Sequence, residues 1–322
     1  MRARRGVALI AALWLLVAIA AVAVQFTLDA RERRILGTDA SERGLERAAA
    51  AGALALTQAR LEQALRVAPS ATGNIARLRA ADPWLDIDSV YSGTVLVDSM
   101  PVDVQARDMG ASLNINQMNE NELRTFFQFA LGNFTLADQL AQSIMDWRDA
   151  DTIPRIRGAE RAAYIKADRL ALPTNGQFRD LSELLSVMGM TPEIYARVSP
   201  YFRTRGSSIV NLNTAPPLVL RTLPGMTDAT LNYILQLRSQ GRRISSVNEI
   251  FPGAQPGGRS LPGQQATRVA LLLQQMQGRT TVNTNEIELT ITARVGPQAR
   301  PATLIVDMTR AGNTASIGWK QW

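Results

Sequence analysis

The sequence predicts an α+β fold in which a long N-terminal helix packs on one antiparallel sheet, with a large α-helical domain inserted between the strands. Three observations lead to this class. A continuous helical pattern occupies residues 7–66, strand-like segments precede residue 116 and resume after residue 284, and the residues between them have the caps and spacing of short helices. A sheet interrupted in this way is typical of an α+β domain with a helical insertion.

The first element is an apolar segment that continues into an amphipathic helix. Val7 to Val24 is an unbroken apolar run of roughly 18 residues, close to the length of a membrane span. We therefore predict a helix over 7–66 with a transmembrane part at 7–26, preceded by a short basic segment at 1–6. A plain membrane anchor is the alternative. The amphipathic part is indicated by apolar residues at helical spacing: Leu45, Ala48, Ala49, Gly52 and Leu56.

The sheet is predicted from two parts of the chain. Residues 67–113 form its first part, with β-branched residues and turn signals at Ser92-Gly93 and from Ser99 to Pro101. Residues 281–322 form the second part, in which two alternating segments flank Gly296-Pro297 and a last strand follows.

The inserted helical domain is predicted at residues 114–280. Its helix starts are indicated by caps and early prolines, and a Pro/Gly-rich linker from Phe251 to Gly263 precedes a last helix. The predicted starts are Thr135 with Asp138, Asp180 with Glu183, Thr191-Pro192, and Thr214 with Pro216.

An internal echo occurs within the helical domain. Two Asn-x-Asn pairs and two Gly-Met-Thr turns recur, which predicts repeated helical hairpins whose asparagines satisfy turn backbone groups. The repeated residues are Asn114 and Asn116 with Asn211 and Asn213, and Gly189 to Thr191 with Gly225 to Thr227.

The second hairpin, VNLNTAPPLVLRTLPGMTDATLNYILQLR, also resembles the helix-hairpin-helix modules of membrane-anchored, competence-type DNA receptors. Those hairpins hold phosphate on the backbone of a Gly-hydrophobic-Gly turn. Thr191 and Thr227 replace the second glycine here, no lysine follows either turn, and the arginines of this +7 chain are scattered. We therefore expect no nucleic acid partner.

Catalytic chemistry is restricted by composition. The chain has no Cys and no His, which excludes thiol catalysis, His-based triads and nearly all zinc sites. It also lacks a nucleophile motif or phosphate loop, so we predict a protein that is not an enzyme.

A metal site is predicted in the acidic segment DWRDADTIPRIRGAE. Oxygen ligands at short spacing suit Ca²⁺. Arginines are interleaved with these acids, so a surface ion-pair network is a slightly favoured second interpretation. The candidate ligands are Asp146, Asp149, Asp151 and Glu160, and the competing cations are Arg148, Arg155, Arg157 and Arg161.

The first residues resemble a type IV prepilin leader, which ends in glycine and is cut by a prepilin peptidase. The resemblance places the cut between Gly6 and Val7, with N-methylation of Val7. Most pilins have Glu at the fifth residue after the cut, whereas this chain has Ala11.

The chain as a whole resembles the K-type minor pseudopilins of type II secretion systems. The segments that carry the resemblance are the Gly6 leader without the Glu, LNINQMNENEL, IMDWRDADTIPRIRGAERAAY, FRDLSELLSVMGMTPEIYARVSPYF, VNLNTAPPLVLRTLPGM and the terminal IGWKQW.

The resemblance implies a pilin-like fold with a SAM-like or helix-hairpin-helix-like insertion, a single inner-membrane helix and a periplasmic C-terminal domain. It implies a structural subunit at the pseudopilus tip in protein export. The implied partners are other minor pseudopilins, the major pseudopilin, the prepilin peptidase and inner-membrane lipid. Some members of the resembled family bind calcium in the inserted domain.

Overall fold

The computed structural model describes residues 3–67, 84, 87–251, 263–296, 300–312 and 314–322. The predicted mixed class with an antiparallel sheet is confirmed. The helices are α1 Ala3–Val67, α2 Ile87–Val90, α3 Glu120–Leu131, α4 Phe134–Arg148, α5 Arg161–Lys166, α6 Pro192–Val198, α7 Pro217–Leu220, α8 Asp228–Ser239 and α9 Gly263–Met276. The strands are β1 Gly93–Val97, β2 Met100–Asp108, β3 Leu113–Asn114, β4 Phe202–Arg203, β5 Val210–Asn211, β6 Thr280–Thr281, β7 Glu286–Ala293, β8 Ala302–Ala311 and β9 Thr314–Gln321.

One five-stranded sheet contains strands from both sides of the helical segment. Its order is β1-β2-β7-β8-β9, and all its neighbouring strands are antiparallel. Strands β2 and β7 alternate between buried and more exposed residues, because successive side chains of a strand point to opposite faces. The buried face meets α1.

The second half of α1 packs on this sheet through small and aliphatic side chains. Small side chains let the helix backbone approach the strands closely. The buried helix residues are Ala49, Ala50, Ala53, Leu61 and Leu65, and they share a core with Val102, Val104, Leu289, Ile291, Leu304 and Val306. Glu46 is also buried on this face, and its carboxylate accepts a hydrogen bond from the Val295 N–H at 3.1 Å.

The first half of α1 has a different environment. Its described apolar side chains are exposed, including Trp14 and Phe26. A search of the described residues found no helix whose length and apolar character are sufficient to cross a membrane.

The segment between β2 and β7 forms a separate, mainly helical core. It contains α3 to α9, two short parallel strand pairs (β3 with β4, and β5 with β6), and buried aromatic residues. Phe126 is the centre of an aromatic group, with ring centroids 4.5 Å from Phe202 and 5.4 Å from Phe127. The short strand pairs were not predicted from the sequence.

The Asn-x-Asn part of the predicted echo corresponds to two units with matching side-chain contacts. The Asn116 side chain bonds the backbone of Phe178 (N–H 2.8 Å, carbonyl 2.9 Å) and the Thr204 carbonyl at 3.0 Å. Asn213 bonds the Ile244 N–H and carbonyl, each at 2.9 Å, and the Val282 carbonyl at 2.7 Å. In each unit, the side-chain amide of the second Asn therefore links the turn to the residue that follows the last short strand.

A pair of arginines strengthens this equivalence. The Arg148 guanidinium, at the end of α4, donates to the carbonyls of Ile115 and Met118. The Arg238 guanidinium in α8 donates to the carbonyls of Leu212 and Ala215. Each arginine stabilises the turn that follows the first Asn of its unit.

Polar contacts join the helical segment to the sheet. The buried Asp108 carboxylate, at the end of β2, accepts hydrogen bonds from Asn211 at 2.7 Å, Thr214 at 2.6 Å and Thr284 at 3.0 Å. The Arg205 guanidinium lies 3.6 Å from the Trp319 ring centroid in β9. It also pairs with Asp307 at 2.7 Å and Glu288 at 3.0 Å.

Several predicted local features are confirmed. Asp180 and Glu183 form a reciprocal capping box, although the element they start is a short 3-10 helix. Thr191 and Thr227 cap α6 and α8 through their side chains.

Three other local predictions are wrong. The α4 cap is Asn133 rather than Thr135, because Asn133 already accepts a hydrogen bond from the Leu136 N–H. The Thr214 hydroxyl donates to Asp108 rather than capping α7. Residues 87–90 are a helical turn, not strand. Residues 252–262 of the predicted linker are outside the described residues.

Candidate metal centre

An acidic cluster forms where α4 ends and α5 begins. Asp149 ends α4 as its C-cap, Asp151 lies in the following loop, and Glu160 is the N-cap residue of α5. One carboxylate oxygen from each residue lies within 4.8 Å of the others. Two oxygens bound to the same Ca²⁺ at about 2.4 Å are at most about 4.8 Å apart, so this spacing suits calcium.

Glu160 is the most informative member of the cluster. Its side chain is 4% exposed, and neither carboxylate oxygen has a hydrogen-bond partner among the described residues. It occupies an N-cap position without making a side-chain capping bond. Buried carboxylates normally have partners, so this acid is a candidate ligand for a cation.

Electrostatic repulsion within the cluster disfavours three ionised carboxylates without a bound cation. Burial raises the pKa of Glu160, and the nearby charges of Asp146 and Asp149 raise it further. A divalent cation would reverse this effect, because an opposite charge favours the ionised carboxylate.

Asp149 and Asp151 are held by local contacts that leave oxygens for a ligand. One Asp149 oxygen accepts a hydrogen bond from Arg155 at 2.5 Å, and the other is buried without a described partner. One Asp151 oxygen accepts the Ile153 N–H at 2.8 Å. The backbone carbonyl of Asp151 accepts a hydrogen bond from the Asn175 side chain at 2.7 Å, which fixes the loop.

Asp146 lies beside the cluster and binds Arg155. Its carboxylate is fully buried, and it accepts the Arg155 backbone N–H at 3.1 Å and guanidinium at 2.5 Å. Burial raises the pKa of Asp146, whereas the hydrogen bonds from Arg155 oppose that shift. Asp146 therefore supports the loop through Arg155.

Gly158 makes the Asp146 position possible. A Cβ atom at this residue would lie 2.0 Å from an Asp146 carboxylate oxygen. Only glycine allows the loop backbone to pass so close to the buried acid.

The structure thus brings together Asp149, Asp151 and Glu160, and turns Asp146 toward Arg155. Part of the predicted ion-pair network is also present, because Arg155 bonds two aspartates and Arg157 pairs with Asp138 at 3.2 Å. The expectation that Arg148 pairs with the acids is wrong, since it donates to backbone carbonyls. Sequence reasoning missed Gly158, which no local pattern singles out.

The predicted processing residues lie in α1. Gly6, Val7 and Ala11 belong to its first turns, and their side chains are outside the described part of the structure. The helix begins at Ala3, so the end of the predicted leader is continuous with it.

The two Gly-Met-Thr turns pack against neighbouring helices. A Cβ atom at Gly225 would lie 2.1 Å from the Leu272 side chain, and one at Gly189 would lie 3.3 Å from Gln139. Each glycine therefore faces protein, in agreement with a structural role for these turns.

Comparisons with known proteins match this architecture. Residues 111–203, which span β3 to β4, match the family model described as type II secretion system (T2SS), protein K. A type II secretion system protein K from Pectobacterium carotovorum subsp. carotovorum is 28% identical over 164 residues, 44% of this chain and 50% of that relative. A protein K from Klebsiella pneumoniae is 32% identical over 98 residues, 30% of each chain. The matches span half or less of these relatives.

A solved structure has the same fold. A chain in the crystal structure of the GspK-GspI-GspJ complex from the enterotoxigenic Escherichia coli type 2 secretion system has a TM-score of 0.62 and 18% identity. The match covers 87% of this chain and 96% of that chain. Together with the family match, it confirms the resemblance found in the sequence: the chain is similar to type II secretion system protein K.

Proposed function

We propose that this chain is a non-enzymatic minor pseudopilin at the tip of the type II secretion pseudopilus. In this role it helps to initiate or cap the filament for protein export across the outer membrane. The observation that carries the proposal is α1, whose second half packs on the sheet while the described apolar side chains of its first half are exposed. Such a helix has one part for its own pilin-like domain and another for partners or lipid.

The exposed half of α1 serves as a single-pass inner-membrane anchor and assembly element, with the C-terminal domain in the periplasm. The apolar sequence from Val7 to Val24 and the basic leader support this assignment. Prepilin peptidase would cut between Gly6 and Val7, followed by methylation of Val7.

Processing can be tested by Gly6→Ala. Intact-mass spectrometry should find Val7 as the first residue of the wild-type protein and an uncut chain in the variant. Gly44→Ala, on the same helix and with open space around it, is the matched control. Efficient cutting of the Gly6 variant at the same bond would contradict the assignment.

Ala11 supports a tip position. A charged residue in the membrane needs a partner. In other pilins the Glu at this position pairs with a neighbouring subunit, and a subunit at the tip has no neighbour above it for such a contact. An apolar residue avoids that cost. The full chain should co-purify with other minor pseudopilins, and recovery of none of them would count against the tip role.

We also propose that Asp149, Asp151 and Glu160 bind Ca²⁺, with Asp146 as the fourth acidic residue of the region. The unpartnered, buried Glu160 supports this site. Calorimetric titration of the full chain should detect Ca²⁺ binding that Glu160→Gln abolishes and Glu42→Gln preserves. Asp146→Asn distinguishes two roles for this residue. If Asp146 is a calcium ligand, the substitution should lower the affinity for Ca²⁺; if it only supports the loop, the substitution should mainly lower the stability of the fold. Wild-type protein without binding heat or calcium-dependent thermal stabilisation would refute the site.

A further inference from the structure

The loop segment 149–175 has an unusual concentration of exposed aliphatic side chains. Ile156 is 99% exposed and Leu170 is 104% exposed, while Ile153 and Ile165 are 75% and 60% exposed. Exposed aliphatic residues that are grouped in this way mark an interaction surface more often than isolated ones do.

In the first part of this segment, charged side chains turn toward the protein and apolar side chains face solvent, the reverse of an ordinary surface loop. Arg155 turns inward to Asp146 and Asp149, and Arg157 turns to Asp138. Ile153 and Ile156 are left facing solvent. The charged side chains therefore hold the loop in place, and its outer side is apolar.

The second part of the segment adds positive charge. Arg161, Lys166 and Arg169 are exposed, and none of them forms an ion pair with another residue in the described part of the chain. They lie on or next to α5, which also carries Ile165. Apolar residues beside exposed cations are typical of surfaces that lie on an anionic membrane.

Hydrogen bonds across the segment link its two parts. Asn175 bonds the Asp151 carbonyl at 2.7 Å, and the Arg169 N–H bonds the Tyr164 carbonyl at 3.0 Å. The Tyr164 hydroxyl accepts the Met188 N–H at 2.8 Å, which anchors α5 to the helical core.

The candidate metal centre lies within this segment, and its carboxylates contribute to the charge of the segment. Arg155 and Arg157 pair with aspartates. The rest of the segment has four carboxylates, Asp149, Asp151, Glu160 and Asp168, and three cations, Arg161, Lys166 and Arg169. A bound Ca²⁺ would offset two of the four negative charges, so that the cations would outnumber the remaining carboxylates.

We propose that the loop segment 149–175 docks on an anionic lipid surface in a calcium-dependent manner. This inference rests on the calcium site proposed above. The exposed cations favour an anionic lipid over an uncharged apolar protein surface, because long-range attraction to acidic headgroups adds to aliphatic insertion.

The test uses the full chain in immobilised nanodiscs of neutral phosphatidylcholine. Vesicles of phosphatidylcholine alone, or with phosphatidylglycerol, are passed over it in Ca²⁺ or in EGTA. Binding is expected only for vesicles with phosphatidylglycerol in Ca²⁺. Empty nanodiscs correct for contacts between lipids.

Variants locate the surface. Ile156→Ser with Leu170→Ser should abolish vesicle binding, whereas Leu96→Ser, at a 68% exposed leucine of β1, should preserve it. Lys166→Gln should weaken binding by about fivefold, because one cation near an anionic surface contributes about 1 kcal/mol. Thermal melting confirms that each variant is folded.

Each outcome decides the proposal. Absence of vesicle binding in Ca²⁺, equal binding in EGTA, or full binding by the double variant would overturn it. Calorimetry on the same protein separates the two ideas: Ca²⁺ heat without vesicle binding would refute lipid docking and leave the calcium site standing. Binding of a purified partner pseudopilin, but not of vesicles, to this surface would reassign it to protein and also overturn the proposal.

Discussion

At the scale of single residues, Glu160 links the candidate metal centre to stability. Its raised pKa means that the folded protein retains a proton at pH values where the unfolded chain has lost it. Stability from this group is therefore present at low pH and falls as pH rises above the ordinary pKa of 4.5.

We predict that Glu160→Gln reduces this pH-dependent loss in the presence of EGTA. The amide cannot ionise, so the penalty for burying a charge near Asp149 disappears. Thermal melts from pH 4 to pH 8 should show a smaller decline than the wild type, with Glu42→Gln as a control that retains the wild-type profile. Identical profiles for wild type and Glu160→Gln would show that Glu160 does not couple protonation to folding.

Gly158 provides a second prediction at this scale. Gly158→Ala should lower the free energy of unfolding by roughly 1–3 kcal/mol, because its Cβ would collide with Asp146. Urea unfolding measures the change. Gly176→Ala is the control, since its nearest contact would be at 3.8 Å. Equal stability of the two variants would mean that the loop relaxes without cost.

The acidic cluster could be predicted from residue type and spacing, because four acids in one short segment are visible in the sequence. The separation of Asp146 from the other three could not, because it depends on the Arg155 side chain reaching back across the loop. The requirement for glycine at 158 likewise depends on the distance to the buried aspartate in the fold.

At the scale of elements, the paired asparagines are structural. Asn116→Ala and Asn213→Ala should each cost about 1–3 kcal/mol, because each removes three hydrogen bonds to backbone groups. Asn248→Ala, at an exposed position, is the control. Denaturant unfolding and amide exchange measure the effect. A substantial loss in one unit and none in the other would contradict their equivalence.

Sequence patterns identified most of these elements but not all their ends. The Asn-x-Asn echo marks matching positions in the two units, because these side chains act locally. The Gly-Met-Thr echo does not, since Gly189 precedes the last helix of its unit and Gly225 precedes the second helix of the other. The choice of Asn133 over Thr135 was not predicted, since two competent caps lie two residues apart and the surrounding packing decides between them. The short strand pairs join residues far apart in sequence, so local patterns do not indicate them.

At the scale of the whole molecule, Arg205 connects the helical segment with the sheet. Arg205→Ala should cost about 1–2 kcal/mol by removing the contact with Trp319 and the pairs with Asp307 and Glu288. Amide exchange should increase mainly in β9 and in the residues around 205. Arg197→Ala, at an exposed arginine of α6, is the control. Unchanged exchange at this junction would refute the role of Arg205 there.

The overall class was predictable because strand patterns precede and follow the central helical pattern. The junction was not, because Arg205 and Trp319 have no sequence relationship that predicts their contact.

The pairing of β2 with β7 has a consequence for the order of folding. Asp108 and Ile287 are register partners although about 180 residues separate them, and closing so long a loop in an unfolded chain carries an entropic cost. Asp108 also accepts hydrogen bonds from Asn211 and Thr214, within the helical segment. Prior collapse of that segment would bring both strand ends together and shorten the effective loop. We therefore expect β2 and β7 to pair last. A destabilising substitution in the helical segment would then delay sheet formation even though no strand residue is changed.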